Sequence, residues 1–104
     1  MKPSPPLTRL LKETCSHLLH HLPGGWTLEG RRIRQGYCHH LHKLIVIPNW
    51  VLQDSRAGYL EWYLSHELAH ARSKKDETHG RAFLQQLKRI CPPEFLHFEE
   101  AYKK

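Results

Sequence analysis

The sequence predicts an α+β fold in which a helix comes first, a small sheet second and further helices last. Three observations predict it. Leucines recur at helical spacing in the first two dozen residues, short apolar runs broken by glycine fill the next two dozen, and helical periodicity returns from about Ser55. The first segment, "SPPLTRLLKETCSHLLHHLPGG", opens with Pro5 and Pro6, which suit a first helical turn. Leu7, Leu10, Leu11, Leu18, Leu19 and Leu22 form one apolar stripe, and Pro23, Gly24 and Gly25 end it.

In "WTLEGRRIRQGYCHHLHKLIVIP", Trp26 and Leu28, then Ile33, then the run Leu44 to Ile47 are separated by Gly30 and Gly36. This predicts two or three strands of a small antiparallel sheet, with "KLIVIP" as a candidate edge on which an extended substrate could pair. Asn49 or Asp54 is a candidate cap for the next helix, expected from about Ser55 to Ser73 with Leu60, Leu64, Leu68 and Ala71 inward. "ARSKKDETHG" is polar and aperiodic, so that helix should end inside it. Another is expected to begin near Thr78 or His79, bury Ala82, Phe83, Leu87 and Ile90, and stop at Pro92 and Pro93. "PEFLHFEEAYKK" reads as a last short helix. Trp26, Trp50, Trp62, Phe83, Phe95 and Phe98 are assigned to the core.

A length of 104 residues suits one domain over residues 1–104. Sixteen Lys and Arg against ten Asp and Glu give a formal charge of +6, which favours anionic partners, nucleic acid among them, without selecting one. Cys15, Cys38 and Cys91 lie far apart with no C-x-x-C, which argues against a disulfide framework or a zinc ribbon and fits reduced thiols. Prolines stand where a signal peptide would be apolar, and no segment approaches the roughly 20 apolar residues of a membrane span. The expectation is a cytoplasmic monomer with no membrane partner.

His66-Glu67-Leu68-Ala69-His70 is an H-E-x-x-H sequence inside the expected helix. On a helix, positions four apart differ by about 40° in azimuth and one turn in height, so His66 and His70 can converge on one ion. Glu67 sits one step round the helix, offset from the ligands but within reach of a water beside the ion, as a general base must be. Ten histidines make such a pattern arise in roughly one shuffled sequence in fourteen, so its context matters. That context includes a third histidine. Catalytic zinc usually has three protein ligands and an open position, and His79 follows His70 after eight aperiodic residues in which the chain can reverse. Gly80 beside it would relieve crowding between two helices. Glu77 is an alternative third ligand. Other histidines allow sites without indicating them: His40 and His42 would share a face of a strand, and His17 lies one helical turn from His20 and His21. Arg31, Arg32, Arg34 and Lys43 with Arg72 to Lys75 could form a basic face.

"LSHELAHA" followed by "HGRAF" resembles the SprT-like metallopeptidases and related small zincin-type zinc peptidases, which carry H-E-x-x-H and a later H-G-x-x-F. The similarity covers about Leu44 to Leu87. It implies a zincin-like fold, zinc on His66, His70 and His79, Glu67 as base and Phe83 in packing. The implied activity is hydrolysis of peptide bonds in a protein or peptide substrate by a zinc-activated water. Tyr37, Tyr63 and Arg81 are candidates for stabilising the developing oxyanion. The chain has no C-x-x-C, so the resemblance does not extend to the DNA-linked functions of larger members. The rival reading is a basic nucleic-acid-binding module with a structural zinc, and a further one an amidase acting on another peptide. Glu67 argues against the first, because a structural site normally fills all four positions with protein ligands.

Overall fold

A computed structural model describes residues 4–73 and 80–103. Helix α1 spans Pro5–Thr14, and the chain leaves helical geometry at Cys15 before a 3-10 turn at Ser16–His21. The single helix expected as far as Leu22 is therefore two pieces. Cys15 and Leu18 are both buried, so the apolar side continues across the change. Leu10, counted in the apolar stripe, is 49% exposed.

Strands β1 (Thr27–Arg31), β2 (Tyr37–His39) and β3 (Leu44–Pro48) form one sheet in the order β1-β3-β2. The β1 and β3 strands are parallel, with Thr27 opposite Leu44, while β2 and β3 are antiparallel, with Cys38 opposite Ile45. The sheet is thus mixed where an antiparallel one was expected, and "KLIVIP" is central where it was expected at an edge. Ile45, Val46 and Ile47 are all fully buried, so both faces of β3 are covered, and an apolar run without alternation is the pattern of such an interior strand. Pairing along both of its sides leaves β1 and β2 as the edges. Part of the β1 edge is closed by α1: Gly30 N–H donates to Thr8 Oγ1, and Ser4 N–H donates to the Gly30 carbonyl, each at 3.0 Å.

A short helix α2 (Asn49–Leu52) follows β3, so Asn49 opens this element and does not cap the next. Asp54 is no cap either, because its carboxylate accepts from the Arg56 main-chain N–H and guanidinium. Helix α3 spans Tyr59–Ala71, later in starting than expected, and is entered through Gly58 at φ 81°. A Cβ there would lie 2.1 Å from the Phe95 ring, so glycine is required both by the left-handed backbone and by the space. The helix ends at Ala71, inside "ARSKKDETHG", as expected. Helix α4 is Arg81–Ile90; its expected start at Thr78 or His79 lies outside the described residues. Pro93–Phe95 form a 3-10 turn and His97–Lys103 form α5.

Helix α3 is the centre of the molecule. One side packs with Leu11, Leu28, Ile45 and Ile47 through Leu64 and Leu68; another contributes Trp62 and Ala69 to a second cluster with Phe83, Leu87 and Cys91. A helix covered on most sides reads as apolar nearly all round, which makes its polar residues the informative ones. Of the aromatic residues assigned to the core, Trp62 and Phe83 are buried, Trp26, Phe95 and Phe98 half-buried, and Trp50 40% exposed. All three cysteines are free. Among the described residues no helix is long and apolar enough to cross a membrane.

Candidate metal centre

Ser65, His66 and Glu67 are buried on α3, in a helix whose other buried residues are apolar. Buried polar groups need partners, and those of His66 come from far along the chain. Its Nδ1–H donates to Glu99 Oε1 at 2.8 Å, and Trp62 Nε1–H donates to the same oxygen at 3.1 Å. Glu99 lies on α5, 33 residues from His66, and is only 3% exposed. A carboxylate on Nδ1 selects the tautomer in which Nε2 is the nitrogen suited to a metal.

His66, Glu67 and His70 each bring one ligand atom to within 4.8 Å of the others. The rings of His66 and His70 lie 4.9 Å apart, and Phe83 of α4 packs against both, at 5.0 Å and 4.4 Å. One turn of helix separates the two imidazoles, and the Phe83 ring limits where they can swing. Main-chain groups at the end of α3 are held as well: His40 Nε2–H donates to the His70 carbonyl at 2.9 Å. The donor set suits a divalent cation: two imidazoles, one of them fixed by a buried carboxylate, beside a third oxygen donor. Residues from α3 could therefore hold a metal ion.

Burial pushes the Glu67 carboxyl up to about 7, against a smaller downward pull from His66. A carboxyl near neutrality can both take and return a proton, and a cation beside it would draw the value down again. Tyr63 Oη accepts the Gly36 main-chain N–H at 3.0 Å, and burial raises its phenol to about 12, which keeps it protonated. Glu67 and Tyr63 line a cavity of about 260 Å³ together with His66.

Of the residues singled out in the sequence, the structure therefore brings His66, Glu67, His70 and Tyr63 together. His79 and Glu77 lie outside the described residues. Tyr37 aligns with Val46 on the sheet face opposite Ile45, where Arg31 donates to its hydroxyl at 3.1 Å. Arg81 is exposed at the start of α4. His40 and His42 belong to the turn between β2 and β3 and do not share a strand face: His40 turns to His70, whereas His42 stacks on His39. The basic residues are partly engaged, Arg31 with Glu29 at 2.7 Å and Arg72 with Gln86 and the His21 carbonyl. Sequence reasoning missed Glu99 and Tyr102, whose ring lies 5.0 Å from His66. A usable signal existed, since Glu99 falls one helical turn from Phe95 and from Tyr102, a carboxylate on an aromatic stripe. No family model matches the chain, and no match was found among curated proteins or solved structures.

Proposed function

We propose that the protein is a zinc-dependent endopeptidase of the minimal zincin type, as the resemblance to SprT-like peptidases implies. One observation carries the reading: the ligand atoms of His66, Glu67 and His70 converge, His66 and Glu67 line a cleft, and buried Glu99 holds His66 through Nδ1. Under this reading His66, His70 and His79 hold the ion. When bound, zinc would supply a Lewis acid that acidifies water and polarises a carbonyl. Glu67 accepts the proton of the attacking water and passes it to the leaving amine, work that a buried carboxyl with a value near 7 is suited to. Tyr63 lies on the same cleft with a protonated hydroxyl and can donate to the carbonyl oxygen as negative charge develops there. Gln35 and Gly36 line the cleft just ahead of β2, so an extended peptide would pair along the outer edge of that strand.

The test combines metal analysis of the purified chain with a peptide cleavage screen, with and without chelator. Stoichiometric zinc and chelator-sensitive cleavage are expected. Glu67→Gln should keep its zinc and lose activity by about a hundredfold or more, while His79→Ala should lower zinc content. Full activity in Glu67→Gln, or stoichiometric zinc with no chelator-sensitive hydrolysis and tight DNA binding, would refute the reading.

A further inference from the structure

The cavity beside His66 and Glu67 is walled by aromatic side chains from three elements: Trp50 of α2, Tyr59, Trp62 and Tyr63 of α3, and Tyr102 of α5. Three of these rings are anchored through their polar atoms. Trp50 Nε1–H donates to the Arg34 carbonyl at 2.8 Å, Trp62 Nε1–H to Glu99, and Tyr63 Oη accepts from Gly36 N–H. Their faces are packed edge to face or tilted, with Trp50 to Tyr63 at 5.9 Å and Tyr59 to Trp62 at 5.4 Å. The Gly36 wall is equally committed, since a Cβ there would meet the Val46 carbonyl oxygen at 2.7 Å. Rings held this way lose little freedom when something lies against them, so the cleft is prepared before it is filled.

We infer that this cleft is a specificity pocket for one large neutral apolar or aromatic side chain next to the scissile bond. The inference rests on the peptidase reading for its setting and on the cleft for its content. Size is the first argument. At about 260 Å³ the cavity is smaller than the roughly 300–1,000 Å³ of sites that enclose whole small molecules, and it suits a single side chain. Charge is the second. Any charged side chain would lose its hydration against the five aromatic rings of the wall, and a divalent cation at His66 would in addition repel a lysine or arginine. A neutral side chain avoids both penalties and gains from burial.

The test measures binding and cleavage separately. Zinc-loaded Glu67→Gln protein is titrated by NMR with capped pentapeptides bearing alanine, leucine, phenylalanine or lysine at the centre, and wild-type protein is assayed for cleavage of the same set. Phenylalanine and leucine peptides should bind about tenfold or more tightly than alanine, with lysine no better than alanine. Trp50→Ala should bring the phenylalanine-to-alanine ratio towards one, and Trp50→Phe should restore it. Partial exposure of Trp50 makes these variants compatible with folding. Equal binding across the series, or a preference for lysine, overturns the pocket. Cleavage by wild type that ignores the central side chain overturns the pocket while leaving the peptidase reading. Aromatic-selective binding without cleavage upholds the pocket and removes the peptidase reading.

Discussion

Glu99 shows how a single residue can decide what a histidine does. An imidazole presents two nitrogens, and the one that stays protonated is set by its partner. With Glu99 on Nδ1 at 2.8 Å, His66 has a defined tautomer and a ring that cannot turn freely. Glu99→Ala should weaken zinc binding by about 10–100-fold, as loss of outer carboxylates does at other sites. Glu99→Gln should recover much of that loss, because its amide oxygen still accepts from His66 Nδ1 and Trp62 Nε1. Zinc affinity read by competition with a chelator, alongside the thermal midpoint, checks this; equal zinc affinity in wild type and Glu99→Ala would show that the contact does not position the ligand. The two histidines and Glu67 were legible in the sequence because helical spacing alone relates them. Glu99 was not, because nothing local connects positions 33 residues apart.

Among the elements, α3 carries the chemistry and its entry point is a backbone requirement. Gly58 combines a left-handed φ of 81° with a Cβ position only 2.1 Å from Phe95, whose turn leads into α5 and so to Glu99. Gly58→Ala should therefore destabilise the protein by roughly 2 kcal/mol or more, whereas Gly24→Ala, with nothing within 4 Å and no positive φ, should be close to neutral. Urea midpoints of the two variants check the contrast, and an unchanged Gly58→Ala midpoint would contradict it. The strands teach a different lesson. "LIVI" identified a strand, and the absence of alternation already hinted at burial on both faces. Which neighbours supply that burial, and hence that the sheet is mixed, depends on how the chain passes from β1 to β2, which no local pattern records.

At the scale of the whole molecule, placing a carboxyl in the interior has a consequence for global stability. The Glu67 value is raised from 4.5 to about 7, chiefly by burial, so the folded metal-free protein holds this proton more tightly than the unfolded chain does. Below pH 4.5 both states are protonated and the group contributes no difference. As pH rises through 4.5 to 7 the unfolded chain releases the proton first, and folding becomes progressively less favourable. Compared with Glu67→Gln, the metal-free wild type should lose up to roughly 3 kcal/mol across that interval. Because both proteins share their histidines, the difference between their denaturation curves at pH 4, 6 and 8 isolates Glu67. A difference that does not grow with pH would refute the account.

By itself the sequence determined the order of helix, sheet and helices and the two-histidine, one-glutamate constellation on α3. Those follow from periodicities and spacings within one or a few helical turns, where covalent geometry fixes the relation between residues. Only the tertiary structure decided that β3 is central, that Trp50 lines a cleft instead of the core, and that α5 returns to place Glu99 and Tyr102 at His66. Those relations depend on which surfaces meet after the chain has closed on itself, and the free energy of burying one element against another is not encoded in any single stretch of it.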